Sequence, residues 1–380
     1  MTLAPLLSAT RLAIWPAAAT FFGAGEVSRL PDCVEMVGKR RAFVVTDPGV
    51  VASGVAAVVG EVLAAVGIEH TIHDKLRPNP DIRALEAGRG ALREFGDAAV
   101  IGLGGGTALD AAKGISLAAS NDLDVRELDY RRQPRRPGQP VIAIPTTAGT
   151  GAETNGFGVI DDPQAHRKFY VGGASVMPRA TILDPRLTVG LPAAATAATG
   201  MDAFTHALES LSARRANPFA RGLALEVVRM VARWLPVAVA DGGDLEARSQ
   251  MLLAAHMAGL AFVTTGLGLC HAIGHALSAR LGTAHGVALA VALPHVIAFN
   301  EPVSAEVHAE VAAAMAADSA SEAAGRLSSS LGMPHTLGEL GCTPELVPVL
   351  VQDALADDVL ANTPRTPTPE ELTALLQNAI

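Results

Sequence analysis

The stretch Ala98-Ala-Val-Ile-Gly-Leu-Gly-Gly-Gly-Thr-Ala-Leu-Asp-Ala-Ala-Lys113 joins a short apolar run to three glycines and then to a run of helix formers. A short apolar run bounded by turn residues is typical of a strand that is buried on both faces. We therefore predict a strand, a glycine-rich turn and a helix. At such a junction, backbone N–H groups can approach a phosphate. The glycine spacing matches neither common phosphate-binding fingerprint, so a purely structural turn stays open as the alternative.

The same alternation of strands and helices continues on both sides of this stretch. Helices are predicted over 51–66 and 81–95, and apolar runs predict further strands at 41–47, 68–72, 140–145 and 180–185. Alternating strands and helices indicate a parallel sheet covered by helices. After about residue 188 the segments all favour helices: 194–211, 216–234, 244–263, 268–279, 287–298, 304–315, 319–330 and 369–378. We predict an α/β domain over residues 1–188 and an all-helical domain over residues 189–380.

Composition excludes several classes of protein. The 380 residues suffice for two domains with separate cores, and 49% are hydrophobic against 18% charged. The net charge of −9 and the absence of a long basic run argue against nucleic acid as a partner. No uninterrupted apolar run approaches the roughly 18 residues of a membrane span, and the start of the chain lacks a signal-peptide pattern, so we expect no membrane partner. Three cysteines without metal-type spacing favour a reducing, cytoplasmic location: Cys33, Cys270 and Cys342.

The helical half concentrates side chains that ligate metals. Asp202 and His206 lie four residues apart in a predicted helix, so both side chains project from one face. Three more histidines follow in the next segments: His271, His275 and His285. One carboxylate with two or three imidazoles suits a borderline divalent cation such as Fe(II) or Zn(II). An isolated pair of this kind is more often an ordinary hydrogen-bonded pair, but two such stretches together favour a shared metal site.

Polar residues follow the predicted strands where ligands bind in open α/β sheets, at the carboxyl ends. Asp47 could accept hydrogen bonds from a ribose, although an acid before Pro48 could equally cap a helix. The segment Thr146-Thr-Ala-Gly-Thr-Gly-Ala-Glu153 offers hydroxyls and glycines to a phosphate or a nicotinamide. Lys168 could reach a ribose or phosphate, and by itself would be taken as a surface lysine. We expect these loops and the metal ligands to meet in a cleft between the two domains.

These motifs resemble those of the iron-containing, or group III, alcohol dehydrogenases. The resemblance runs from about Phe22 to Asn300, and its most specific parts are Gly104–Lys113, Ile144–Glu153, Gly200–Glu209 and Gly268–Ala276. It implies a Rossmann-like parallel sheet followed by an all-helical domain, an architecture shared with dehydroquinate synthases. It also implies a metal-dependent, NAD(P)-linked oxidoreductase that acts on a small primary alcohol or aldehyde and forms a homodimer or larger homo-oligomer.

The resemblance assigns roles residue by residue. The family's metal ligands fall on Asp202, His206, His271 and His285, and keeping all four argues against the related maleylacetate reductases, which lack this metal set. The family's proton-relay histidine falls on His275, the expected catalytic residue. The family's cofactor contacts fall on nine residues: Asp47, Asn79, Gly105, Gly106, Thr107, Thr146, Thr147, Thr150 and Lys168.

Several details stay open at this point. The carboxylate of Asp47 would repel a 2′-phosphate and so favours NAD, but some relatives with this acid use NADP. The family implies Fe(II), whereas Zn(II) generally binds such ligands more tightly. Thr264 stands where many relatives have Asn, which leaves the substrate undetermined. Three alternative functions stay open. The first is a dedicated reductase of an anionic phosphono-, sulfo- or carboxy-aldehyde, which needs a cationic side chain near the substrate. The other two are a maleylacetate reductase and a dehydroquinate synthase-like lyase.

Overall fold

A six-stranded parallel sheet forms the centre of the first half of this computed structural model, which describes residues 18–132, 136–163 and 167–380. The sheet order is β1-β8-β5-β4-β2-β3. The strands in chain order are β1 (Ala19–Phe22), β2 (Arg41–Val45), β3 (Glu69–His73), β4 (Ala99–Gly104), β5 (Val141–Pro145), β6 (Phe157–Asp162), β7 (Arg167–Gly172) and β8 (Ala180–Leu183). Strands β6 and β7 form a separate antiparallel hairpin. The parallel α/β sheet predicted from the sequence is confirmed.

Helices cover both faces of this sheet: α1 (Leu30–Met36), α2 (Pro48–Ala52), α3 (Val55–Ala65), α4 (Ile82–Phe95) and α5 (Gly106–Ser120). Successive side chains of a strand point to opposite faces, so each buried strand contributes to two cores. Phe43 of β2 joins the core formed with Leu85 and Ile115 of α4 and α5. Its neighbour Val44 joins the other core, with Leu63 of α3. Burial on both faces explains why the central strands β4 and β5 carry only apolar residues.

Two details of this half differ from the prediction. The helix expected over 51–66 is interrupted, because Gly54 adopts a left-handed φ of 84° between α2 and α3. The hairpin of β6 and β7 was not predicted, although its strand Phe157–Asp162 alternates partly and fully buried residues. The Asp-Asp-Pro sequence at 161–163 is typical of a turn, and the two aspartates that end β6 hide its strand pattern. The first 17 residues of the predicted domain lie outside the described residues.

The second half of the chain is helical, as predicted, and its described residues contain no strand. Its helices are α6 (Ala193–Ser212), α7 (Pro218–Ala240), α8 (Leu245–Thr265), α9 (Leu269–Leu281), α10 (His285–Ala314), α11 (Ala320–Ser330), α12 (Val347–Leu355) and α13 (Pro369–Asn378). Helix α7 continues past its predicted end, through Pro236. Helix α10 joins two predicted helices across a kink at Ser304, close to Pro302. The chain divides into two units, Ala17–Leu191 and a second that includes Pro192–Ile380.

Helix α10 is long and apolar enough to cross a membrane by length and composition alone. Among the described residues, the bent pair of α8 and α9 also passes this test, but only if its members are joined across a 108° bend. Within the most apolar window of α10, 56% of the helix is buried inside the protein. Core helices of soluble proteins pass the same test, so this feature is weak evidence for a membrane span.

Candidate metal centre and cofactor loops

Three helices of the second unit bring the predicted metal ligands together. Asp202 and His206 lie one turn apart on α6, and each is 4% exposed. His271 lies in the first turn of α9, and His285 is the first residue of α10. A side chain at Gly286 would overlap the backbone carbonyl of α6, so glycine is required for the start of α10 to approach α6 this closely. The close approach places His285 beside Asp202.

One carboxylate oxygen lies at the centre of this cluster. The Oδ1 atom of Asp202 is 3.4 Å from His206 Nε2, 3.5 Å from His271 Nε2 and 3.8 Å from His285 Nε2. Ligand atoms of Asp202, His271 and His285 all lie within 4.8 Å of one another. His206 is outside this group of three, and its ring stacks on that of His271 at 4.7 Å. The structure thus gathers all four predicted ligands around Asp202, and their role as ligands stays a prediction.

Asp202 Oδ1 and His271 Nε2 are buried atoms of the cluster without a hydrogen-bond partner in the described part of the chain. Leaving such groups unpaired costs about 1–3 kcal/mol each, more for a charged group. Burial acts to raise the pKa of Asp202, but His206, His271 and His285 together lower it, so the group is a carboxylate. One carboxylate with three imidazoles is a ligand set suited to Fe(II) or Zn(II), so these residues fit a divalent metal.

Glu209, which the sequence analysis did not single out, fixes the orientation of His271. Its carboxylate is 2.6 Å from His271 Nδ1 and accepts hydrogen bonds from the N–H groups of Gly268 (2.8 Å) and Cys270 (2.7 Å) at the start of α9. A carboxylate only accepts, so His271 carries a proton on Nδ1 and directs Nε2 towards Asp202. Burial acts to lower the pKa of His271, but Glu209 and Asp202 raise it to about 9. The sequence held a signal, because Glu209 follows His206 by three residues on the same helix face.

His275, the predicted proton relay, lies beside the cluster and outside the group of three. Its ring stacks on that of His285 at a centroid distance of 5.3 Å and meets the ring of His271 edge-on at 6.1 Å. Its Nδ1 is 2.6 Å from Oδ2 of Asp357, a residue that the sequence analysis missed. The two residues are 82 positions apart, so no local pattern could have joined them.

The predicted cofactor loops of the first unit also meet. The N–H of Thr146, after β5, donates to the carbonyl of Gly104 at the end of β4 (3.0 Å). A Cβ atom at Gly105 would lie 3.2 Å from the side chain of Thr147, and one at Gly106 would lie 2.8 Å from Thr150. Glycine therefore lets the two loops touch at the start of α5, which also carries Thr107 in its first turn. Backbone N–H groups at a helix start form a suitable site for a phosphate.

Asp47 lies next to these loops and has the helix-capping role that the sequence left open, while its contact with a ribose stays a prediction. Its Oδ1 caps α2 by accepting hydrogen bonds from the N–H groups of Gly49 (2.8 Å) and Val50 (3.1 Å). Its Oδ2 would lie 3.4 Å from a Cβ atom at Gly104. The helix cap holds the carboxylate still, with one oxygen at the glycine loop.

Asn79 and Lys168 are connected through β6. Lys168 is paired with Asp161 in the hairpin, with Nζ 3.9 Å from Asp161 Oδ1. The N–H of Asp161 donates to the carbonyl of Pro80, next to Asn79 (2.9 Å). Asn79 is exposed and has a left-handed φ of 54°. Whether these two residues contact a cofactor stays a prediction.

Lys113 anchors the loop after β5, a role that the sequence analysis did not assign. Its side chain is fully buried. Its ammonium donates to the carbonyl of Ala152 (2.8 Å), to Asn155 Oδ1 (3.0 Å) and to the carbonyl of Phe157 (2.5 Å), and it pairs with Asp110 (3.1 Å). Burial lowers its pKa more strongly than Asp110 raises it. The contacts tie α5 to the segment that carries the threonines.

Two models of known families match the chain. Residues 17–185 match the family described as iron-containing alcohol dehydrogenase, and residues 196–380 match the C-terminal part of the Fe-containing alcohol dehydrogenase family. The chain is 43% identical to "Probable alcohol dehydrogenase EutG" of Escherichia coli (strain K12) over 259 residues. This matched region covers 67% of this chain and 65% of that protein. The chain is 36% identical to the NAD-dependent methanol dehydrogenase of Bacillus methanolicus over 257 residues, or 68% of each chain.

A solved structure extends the likeness over nearly the whole chain. The structure of a 1,3-propanediol oxidoreductase has a TM-score of 0.94 and 34% sequence identity, and the match covers 98% of this chain and 100% of that one. Identity of this level over this length shows common descent as well as a common fold. The chain therefore belongs to the iron-containing alcohol dehydrogenase family, a family of oxidoreductases.

Proposed function

We propose that the protein is an NAD-linked alcohol dehydrogenase that interconverts a small primary alcohol and its aldehyde with the help of a divalent metal. The observation that carries this proposal is the buried cluster around Asp202. With Glu209 holding the Nδ1 proton of His271, the Nε2 atom of the neutral ring and Asp202 Oδ1 would both be acceptors, 3.5 Å apart. Such a pair needs a proton or a cation beside it.

We propose that Asp202, His206, His271 and His285 hold Fe(II), with Zn(II) able to take its place. When bound, the metal would supply a Lewis acid for the substrate oxygen, and the nicotinamide would supply or accept the hydride. The chain itself contributes an anionic, preorganised ligand set. Glu209 would keep the Nε2 lone pair of His271 available to the metal, and the side chains of Asp202, His206 and His271 are buried. Phe262 supports His206, with the two rings 4.6 Å apart.

The glycine and threonine loops supply the proposed cofactor site. The N–H groups at the start of α5 would bind the phosphates, and the free oxygen of Asp47 would accept from a ribose hydroxyl. A 2′-phosphate at that position would meet a carboxylate, so NAD is preferred over NADP. The relative from Bacillus methanolicus, an NAD-dependent methanol dehydrogenase, supports the same choice.

His275 would handle the proton. It lies next to His285 with its Nδ1 on Asp357, so that nitrogen is not available as a ligand. In the direction of alcohol oxidation it would take the hydroxyl proton, and in aldehyde reduction it would return it. We also propose, following the family, that the enzyme works in the cytoplasm as a homodimer or larger homo-oligomer.

An anaerobic screen of the Fe(II)-loaded protein tests the proposal. NADH oxidation is followed against a panel of short neutral aldehydes and of anionic phosphono-, sulfo- and carboxy-aldehydes. We expect turnover with neutral aldehydes, and a clear preference for an anionic aldehyde would favour the dedicated reductase instead. His271→Ala should lose metal and turnover while keeping NADH binding. The exposed His335→Ala is the matched control and should behave as the wild type. Full turnover by a metal-free His271→Ala protein would refute the metal mechanism.

A further inference from the structure

The pair formed by Asp357 and His275 lies beside the metal cluster, and neither residue is among the predicted ligands. Oδ2 of Asp357 is 2.6 Å from His275 Nδ1, and both side chains are largely buried, at 16% and 17% exposure. Oδ1 of the same carboxylate accepts a hydrogen bond from the N–H of Val359 (3.0 Å). Each carboxylate oxygen of Asp357 therefore accepts one hydrogen bond. The bond to Oδ2 comes from the N–H at Nδ1 of His275, because a carboxylate can only accept.

The segment that supplies Asp357 is firmly held. Asp357 caps the short 3₁₀ helix Asp358–Asn362, and this helix packs against α9. The N–H of Arg214, after α6, donates to the carbonyl of Asn362 (2.9 Å). A side chain at Gly266 would overlap the side chain of Asn362, so the segment lies directly on the loop that leads into α9. A carboxylate fixed in this way can fix the ring that it contacts.

We propose that Asp357 is a positioning residue, which holds the proton of His275 on Nδ1 and keeps Nε2 as the nitrogen that exchanges a proton with the substrate. This inference rests on the proposed function of His275. In alcohol oxidation Nε2 takes the hydroxyl proton, and the resulting imidazolium is paired with the Asp357 carboxylate. In aldehyde reduction Nε2 returns that proton, and the ring becomes neutral again. Carboxylates that orient a histidine in this way commonly contribute about 10–100-fold to activity.

Asp357→Asn tests the role with little change in shape. If the asparagine oxygen stays with the N–H of Val359, its NH₂ group faces His275 Nδ1 and can only donate. The ring proton must then move to Nε2, so the histidine can no longer accept a proton there. Asp353→Asn is the matched control. Asp353, on α12, also pairs with a side chain of α9, but its partner is Arg280 and not a histidine.

The first experiment is a double-mutant cycle on the metal-loaded enzyme with NADH and the best aldehyde. We expect Asp357→Asn to lower kcat about 10–100-fold, while KM and the bound metal per chain change less than about twofold. In the His275→Ala background the same substitution should have no further effect on kcat, since its action passes through His275. An equal loss in both backgrounds would assign Asp357 a merely structural role and overturn the proposal. Asp353→Asn should leave kcat unchanged.

The second experiment does not need activity. Histidine labelled with ¹⁵N in the Zn(II)-loaded protein, which is diamagnetic, reports which ring nitrogen carries the proton at alkaline pH. His275→Ala identifies the signal. We expect a protonated Nδ1 in the wild type and a protonated Nε2 in Asp357→Asn. The same tautomer in both proteins would overturn the proposal. If the wild type reduces no aldehyde but the tautomer changes as expected, then the proposed function fails while the positioning of His275 by Asp357 stands.

Discussion

Replacing Glu209 with Gln should weaken metal binding without altering any predicted ligand. Glu209 is 7% exposed, and its two oxygens serve two donors each. Oε1 faces the N–H groups of Cys270 and His271, and Oε2 faces the N–H of Gly268 and the Nδ1 proton of His271. A glutamine has one accepting oxygen and one donating NH₂ group. Whichever way the amide is turned, its NH₂ group faces two N–H donors that Glu209 accepts from.

The size of the effect follows from this count. Two hydrogen bonds to a charged group are lost, and each contributes about 1.5–3 kcal/mol, so the substitution should cost about 3–6 kcal/mol of stability. His271 also loses the acceptor that orients its ring, which commonly lowers metal affinity about 10–100-fold. Burial acts to raise the pKa of Glu209, but His271 and the N–H groups at the start of α9 lower it, so the charged form is the one that is lost.

Chelator competition with Zn(II) measures the affinity, and denaturant unfolding of the metal-free protein measures the stability. Glu322→Gln is the control, because Glu322 lies on α11 with its side chain 71% exposed, and it should change stability by less than about 0.5 kcal/mol. If Glu209→Gln binds Zn(II) as tightly as the wild type and unfolds at the same denaturant concentration, then the account of how His271 is oriented is wrong.

Three further substitutions probe the other parts of the molecule. Gly286→Ala should lower the free energy of unfolding by about 1–3 kcal/mol and reduce metal binding, because its methyl group would overlap the α6 backbone. Calorimetry and metal content measure these two effects. The control is Gly222→Ala, which is exposed, meets no neighbour and should stabilise the protein by about 0.5–1 kcal/mol. Asp47→Ser keeps a helix-capping oxygen but removes the charge, so the ratio of kcat/KM for NADP to that for NAD should rise about tenfold; an unchanged ratio would exclude Asp47 from coenzyme selection. Lys113→Met leaves Asp110 and three other acceptors without their buried donor and should destabilise the first unit by about 3–5 kcal/mol in denaturant unfolding; wild-type stability would contradict the anchoring role.

Much of the fold could be predicted because the periodicity of apolar residues is strong in both halves. The strand, glycine turn and helix start at Ala98–Lys113 appear as β4 and the first half of α5, which continues to Ser120. The hairpin was missed because Gly158 and the two aspartates at its turn weaken the strand pattern of β6. Helix α10 was predicted as two helices separated around Pro302, but the chain only kinks, at Ser304, and continues.

The residues of the candidate site also divide into those that the sequence could group and those that only the fold brings together. Residues that share a helix face, such as Asp202 and His206, can be grouped from spacing alone, and Glu209 could have been added by the same rule. Asp357 could not, because its contact with His275 depends on how a distant segment packs onto α9. The buried Lys113 was likewise hidden, since lysine is ordinarily exposed and only the fold places carbonyl groups around it.

The most direct test of the central claim is anomalous diffraction at the iron absorption edge, from crystals of protein loaded with Fe(II) and kept anaerobic. The account predicts one anomalous peak per chain, bonded to Asp202, His206, His271 and His285, and no peak in His271→Ala crystals prepared in the same way. A peak elsewhere, or a fully loaded protein in which these four side chains do not contact the metal, would contradict it.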